Sequence, residues 1–176
     1  MTFCLFSTGL WSAEMTGPEI KEVLVFGTKT EKLKLPGSGI QIDPEELKKQ
    51  DYSDLNQVIT SAPGVYVREE DGFGLRPNIG IRGATSERSQ KITLMEDGVL
   101  ITPAPYSAPA AYYITNASRL HAVEVLKGPS AIQAGPHTVG GAVNLIPRPG
   151  PEQDLTEVEF TTGTDSFHKV AGAMGR

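Results

Sequence analysis

Three adjacent carboxylates (Glu69, Glu70, Asp71), three histidines (His121, His137, His168) and the glycine-spaced stretch Gly135 to Gly140 are where chemistry would first be sought in this chain. A run of consecutive carboxylates reads as a solvated loop rather than an acid–base pair. None of the histidines has an i, i+4 partner that would let a helix present two ligands to a metal. Gly135 to Gly140 has phosphate-loop spacing, but Gly141-Ala142 stands where a Lys and a Ser or Thr would hold phosphate and magnesium. No G-x-G-x-x-G follows a predicted strand, and no G-x-S-x-G nucleophile turn occurs. Cys4 is the one cysteine, which excludes an internal disulfide and any multi-cysteine metal site. These residues point away from catalysis and from a resident cofactor.

Composition narrows the class further. Of 176 residues, 39% are hydrophobic, a little low for a globular protein and too high for a disordered one. Gly 19 and Pro 13 together make about 18% of the chain, against roughly 12% on average, so the elements are short and the chain turns often. A net charge of −5 argues against coating nucleic acid. No apolar run approaches the roughly 18 residues of a membrane-spanning helix, which leaves soluble and β-structured membrane proteins open.

The elements that must position any site follow from periodicity and turn chemistry. Ile40 and Ile42 predict a strand ending at Asp43-Pro44-Glu45-Glu46, where Asp43 caps a helix, Pro44 takes its first position and Glu46 closes a capping box. A second helix starts near Ser53, with Leu55, Val58 and Ile59 on one face, and stops at Pro63-Gly64. Val65 and Val67, then Ile79 and Ile81, alternate as strands around an exposed loop from Arg68 to Pro77. Ala84 to Gln90 is a polar loop. Ile92, Leu94 and Met95 make a strand ended by Asp97-Gly98, and the proline-rich stretch from Leu100 to Pro109 is a loop in which three prolines preclude a central strand. Asn116 caps one helical turn, Val123 to Leu126 is a strand, Ser130 to Ala134 is a helical turn, and Ala142 to Ile146 is a strand. The implied domain is a mixed α/β fold whose small central sheet uses the strands near Ile40, Val65, Ile79, Ile92, Val123 and Val143. After the stiff linker Pro147 to Pro151, alternating Glu157 to Thr162 and then Phe167 to Arg176 predict a hairpin of about ten residues per strand, the length of an outer-membrane barrel strand.

Ahead of the first strand lie two segments of different character. Met1 to Ala13 is apolar and uncharged and reads as the end of a secretory signal peptide lacking its basic start, with Ala13 the last residue removed. Thr2-Phe3 before Cys4 makes a poor lipid-attachment signal. Glu22 to Gly27 (EVLVFG) is β-prone, and Thr28 to Leu35 (TKTEKLKL) is polar and basic. Together they read as a sticky strand on a tether or as an ordinary edge strand.

The order EVLVFG, SAPGVYV, NIGIRG, KITLMEDGV, HAVEVLKGPSAIQAGP and GGAVNLIPR resembles the plug domain of TonB-dependent outer-membrane receptors over Glu22 to about Gly150. The motifs PGV, IRG, LDGV, EVLKGP and GGAVN stand in family order, with Glu96 inserted before Asp97-Gly98-Val99 of the LDGV motif. Asn78 to Gly83 and Ala104-Pro105-Tyr106 further resemble the ferric citrate branch.

This resemblance implies four segments: residues 1–21, a signal-peptide remnant and tail; 22–36, the TonB box and linker; 37–150, the plug; and 151–176, a linker and the first barrel hairpin. It implies a non-enzymatic importer of a ferric chelate (ferric citrate or a siderophore complex), with no cofactor beyond that cargo. The plug would sit in the barrel lumen at the outer membrane with its N-terminus periplasmic. Its partners would be TonB, the chelate and the rest of the barrel, with no nucleic acid. Glu22, Val23, Leu24, Val25, Phe26 and Gly27 would form the TonB box, and Phe73, Arg76, Asn78, Tyr106 and Tyr112 would contact the ligand. Arg82, Glu124, Lys127 and Arg148 would make charged contacts within the plug or to the barrel wall. About 20 residues precede the box, so a signalling domain is not expected, and the chain reads as a fragment. The competing expectation is a free-standing periplasmic binding module that keeps the plug fold.

Overall fold

The computed structural model describes residues 38–70, 76–102, 113–135, 138–151 and 154–175. Its described residues form a five-stranded mixed sheet, a two-stranded ribbon and a separate hairpin. The elements in chain order are β1 (Ser38–Ile42), α1 (Pro44–Gln50), α2 (Leu55–Thr60), β2 (Val65–Val67), β3 (Ile79–Ile81), β4 (Ile92–Glu96), β5 (Val99–Thr102), β6 (Leu120–Lys127), β7 (Gly141–Pro147), β8 (Leu155–Thr162) and β9 (His168–Gly175). Short 3-10 segments cover Glu87–Ser89, Ala117–Arg119 and Pro129–Ala134.

The main sheet runs in the order β1-β6-β7-β4-β5. β6 pairs antiparallel with both β1 and β7, β4 lies parallel to β7, and β5 returns antiparallel on the outer edge of β4. Alternation sorts the side chains onto two faces. One face carries Ile42, Ile92, Leu94, Val123, Val125, Val143 and Leu145, all buried against Leu55, Val58 and Ile59 of α2 and against Val65, Ile79 and Ile81 of the ribbon. The other carries a smaller cluster, Met95, Leu126, Ala131 and Ala142, beside a row of polar residues at the sheet centre.

Several expectations change in the folded chain. The strands at Val65 and Ile79 do not join the central sheet; they pair with each other, Val65 opposite Ile81 and Val67 opposite Ile79. The interior positions of the sheet are already filled by β6, β7 and β4, so a three-residue pair is laid over the sheet instead of inserted into it. Leu100 to Thr102 is an edge strand and not loop, because the first proline comes only at Pro103. Asp43 makes no side-chain capping bond, and the capping box does not close: Glu46 Oε1 accepts from Gln50 Nε2 at 3.3 Å, one turn along the same helix. What supports α1 is Pro44 at its start, with Glu45 and Glu46 in its first turn and Lys48 and Lys49 in its last, matching the helix dipole. Asp54 does cap α2, its carboxylate accepting from Asn56 N at 2.8 Å. Asn116 caps its turn by accepting from Ser118 N at 3.0 Å.

The hairpin β8–β9 forms its own sheet, Leu155 opposite Gly175 through Thr162 opposite His168. Its strands have eight residues each, somewhat short of the expected ten, and Phe167 belongs to the turn, its N–H donating to Thr164 O.

Gly141 opens β7 at φ +151°, and a Cβ there would press on the carbonyl oxygen of Leu126 and lie 2.9 Å from Ile81 Cδ1. The backbone conformation and the close approach of β6 both require glycine. Gly141→Ala is expected to destabilise this chain by about 3 kcal/mol in urea titrations. Gly150→Ala, where nothing lies within 4 Å of the added carbon, should leave the midpoint in place.

Candidate functional site

Sequence segments far apart converge at one end of the sheet. Pro63 O accepts from Lys127 Nζ at 2.6 Å, and Gly64 O accepts from Arg82 N at 3.0 Å. The turn that ends α2, the end of β3 and the end of β6 are thereby tied together through their motifs PGV, IRG and LKGP. Lys127 is only 4% exposed, and that burial, with the Arg82 guanidinium nearby, holds its ammonium below the ordinary lysine pKa of 10.5. Tyr66 stands opposite Gly80 across the ribbon, and its hydroxyl donates to Ala84 O, which ties the following loop to β2.

A second junction lies at the sheet centre. Glu124 on β6 faces Asn144 on β7, both buried, and Asn144 Nδ2 donates to Glu124 Oε2 at 3.1 Å. Asn144 Oδ1 accepts from Gly98 N at 3.0 Å, so one carboxamide links β6, β7 and the Asp97-Gly98 turn between β4 and β5. Both turn residues have positive φ, 50° and 74°, the conformation that Asp-Gly favours in a tight hairpin. Glu96, the residue inserted before that turn, pairs with Arg119 at 3.6 Å and accepts from the Tyr113 hydroxyl at 3.3 Å.

The TonB-dependent receptor plug domain family matches residues 31–142. The chain belongs to this family. A probable TonB-dependent receptor of Bordetella pertussis, BfrD, is 33% identical over 132 residues, which is 74% of this chain and 16% of that protein. The vitamin B12 transporter BtuB of Photobacterium profundum is 26% identical over 76% of this chain and 21% of its own length. The crystal structure of the ferric citrate transporter FecA in its unliganded form superposes with a TM-score of 0.64 at 28% identity, covering 72% of this chain and 20% of that one. The chain thus spans only about a fifth of the length of the relatives it matches. The fold described above is the plug fold of these receptors.

Within the plug, the residues expected to meet a ligand fall into three groups. Arg76 is exposed, with Nη1 3.7 Å from Glu70, which also pairs with Arg68 at 3.4 Å. Asn78 is buried, and its Oδ1 accepts from Arg88 N at 2.7 Å. Its carboxamide is thus turned into the protein, where it holds the next loop. Phe73, Tyr106 and Tyr112 lie outside the described residues, as do Glu22 to Gly27. Of the charged residues expected to make contacts, Glu124 and Lys127 are buried in the plug, and Arg148 meets Glu157 of the hairpin at 3.1 Å.

Sequence reasoning missed Ser89 and Asn144. Ser89 is buried, donates to Pro77 O at 2.7 Å and accepts from Ile79 N at 3.0 Å, so it holds the start of β3 in place. It sits in a loop read only as polar, and nothing in its spacing marks it. Asn144 carries a signal: one carboxamide inside the apolar run AVNLI needs a buried partner.

Two measurements check these junctions. Asn144→Ala removes the carboxamide that meets both Glu124 Oε2 and Gly98 N and should cost about 2–4 kcal/mol in denaturant unfolding, whereas Glu124→Gln keeps an acceptor and should cost less. Lys127, titrated by NMR of labelled lysine, should lose its proton below pH 10.5, and Arg82→Gln should move that titration upward. The folded pKa lies below the unfolded one, so between the two values the unfolded chain holds the extra proton. Stability from this group therefore rises with pH across that interval, and the cost of the buried charge is fully present below it.

Proposed function

We propose that this chain is the plug portion of an outer-membrane receptor that binds a ferric chelate, ferric citrate or a siderophore complex, and imports it with energy transmitted by TonB. The observation that carries this reading is the likeness to the ferric citrate transporter FecA at 28% identity, in a chain whose motifs keep family order. The stretch Ala104-Pro105-Tyr106, which resembles the ferric citrate branch, supports the same ligand class.

The plug performs no bond chemistry; it closes the barrel, contributes to the ligand floor and is displaced. An anionic chelate needs cationic hydrogen-bond donors, and Arg76 offers a planar fork suited to carboxylate oxygens. It is paired loosely with Glu70, a contact for which an anionic ligand would compete. Tyr106 and Tyr112 would add flat contact area and a hydroxyl each. On the periplasmic side, Glu22 to Gly27 would add as a strand to the edge of a TonB sheet, where main-chain hydrogen bonds supply the affinity. Thr28 to Leu35 would be the leash between that strand and β1.

Val25→Pro in the full-length receptor should abolish energised uptake of iron-labelled ferric citrate while leaving its binding at the cell surface intact, because proline removes a main-chain donor and fixes φ. Undiminished uptake would rule out this segment as the coupling site, and loss of binding as well would place it in the plug fold. Arg76→Ala should weaken ferric citrate binding about tenfold, the equivalent of one charge-assisted hydrogen bond. A receptor that binds cyanocobalamin and not ferric citrate would overturn the ligand class.

A further inference from the structure

Arg68, one residue past β2, and Arg76, three residues before β3, share a single carboxylate. Glu70 Oε1 accepts from Arg68 Nη2 at 3.4 Å, and Glu70 Oε2 lies 3.7 Å from Arg76 Nη1. Each oxygen therefore meets a different guanidinium. The arginine side chains are 61% and 68% exposed, against 31% for that of Glu70. The two cations are thus the more accessible members of the group.

The backbone that carries both arginines is held by buried polar groups. Arg68 N donates to Asn78 O at 3.0 Å, which carries the β2–β3 pairing one step beyond Val67 and Ile79. Pro77, next to Arg76, has its carbonyl oxygen on the hydroxyl of Ser89 at 2.7 Å, and Asn78 Oδ1 accepts from Arg88 N at 2.7 Å. Ser89 and Asn78 are both buried. The two guanidinium groups therefore stem from backbone that is already fixed, which lowers the ordering cost of binding an anion between them.

We infer that Arg68 and Arg76 form a receptor for a carboxylate of the cargo, that Glu70 occupies it as a built-in competitor until the cargo arrives, and that the importer therefore takes a chelate with an accessible carboxylate, of the citrate type, in preference to a neutral hydroxamate chelate. This rests on the importer reading above and narrows its ligand class. Glu70 presents to the pair the same chemical group that such a cargo would bring. A planar guanidinium holds carboxylate oxygens by directed, charge-assisted hydrogen bonds, and the oxygens of an uncharged ligand accept them more weakly. The contacts to Glu70 are long and open to solvent, and exposed ion pairs are weak, so a chelate that brings further contacts displaces it. The competitor also discriminates. A cargo without a carboxylate must break the same two contacts to reach the arginines and regains less from them.

The test titrates ferric citrate, and neutral ferrichrome in parallel, into the purified full-length receptor in detergent micelles by calorimetry. The buffer holds about 0.15 M salt, at which exposed charges more than about 8 Å apart are largely screened. Arg68→Ala should weaken ferric citrate about tenfold, the loss of one charge-assisted hydrogen bond. Glu70→Ala should tighten it about threefold or more, whereas Glu69→Ala, which removes the same charge from the neighbouring residue, should shift it by less than about twofold. Arg68→Ala should also cost more in the Glu70→Ala background than in the native receptor, where losing Arg68 loosens its competitor too. A Glu70→Ala receptor no tighter than the Glu69→Ala one would overturn the competitor role, and Arg68→Ala without effect would remove Arg68 from the receptor pair. Ferrichrome bound more tightly than ferric citrate by the native receptor would overturn the carboxylate preference while leaving the importer reading intact. A receptor that binds cyanocobalamin and neither iron complex would overturn that reading itself, and this inference with it.

Discussion

Glu124 and Asn144 face each other across β6 and β7, both with at most 1% of their surface exposed, and the sheet is organised around their contact. A carboxylate and a carboxamide at the centre of a small sheet are tolerated only when their polar atoms are matched. Meeting that requirement sets the register of β6 on β7, and the remaining oxygen of Asn144 draws in the Asp97-Gly98 turn through the N–H of Gly98. β1 can then pair with the free edge of β6, and β4 with that of β7. The apolar face formed by Val123, Val125, Val143 and Leu145 gives α2 and the ribbon their packing surface.

The asymmetry of this sheet suits a domain that fills a lumen. One face is closed by a helix and a ribbon, and the other carries a small apolar cluster beside polar groups. A protein surrounded by bulk water would gain from a larger core. A plug surrounded by polar barrel wall needs a charged exterior and a core just large enough to hold its shape. Its elements are correspondingly short, and its cohesion comes from cross-ties such as Lys127 to Pro63, Tyr66 to Ala84 and Ser89 to Pro77. These ties are side-chain hydrogen bonds to backbone carbonyls, separate from the ladder of the five-stranded sheet. That arrangement suits the displacement proposed above.

The family motifs acquire a physical meaning from this geometry. PGV supplies two backbone carbonyls, from Pro63 and Gly64, that receive Lys127 and the N–H of Arg82. GGAVN supplies the glycine that lets β7 approach β6 and the carboxamide that crosses between them. Glu96, the point of departure from the LDGV pattern, adds to the turn an anionic group that receives Arg119 and Tyr113. The motifs are thus largely one another's binding partners.

By itself, the sequence determined where most elements lie and which side chains form the core. Leu55, Val58 and Ile59 on one helical face, the alternation in β6 and β7, and the turns at Pro63-Gly64 and Asp97-Gly98 are local patterns, and local sterics and periodicity are enough to read them. It also carried, through motif order, the family and the existence of a chemically distinct hairpin. Only the tertiary structure decided that β2 and β3 stand apart from the sheet, because competition for sheet edges is settled by all strands together and not by any one of them. It alone turned Asn78 inward onto Arg88, gave Ser89 its role beneath β3, and left Asp43 without its capping bond. The reason is common to all three: a short polar side chain has several local partners within reach, and which it takes depends on backbone brought close from elsewhere in the chain, information that spacing along the sequence does not contain.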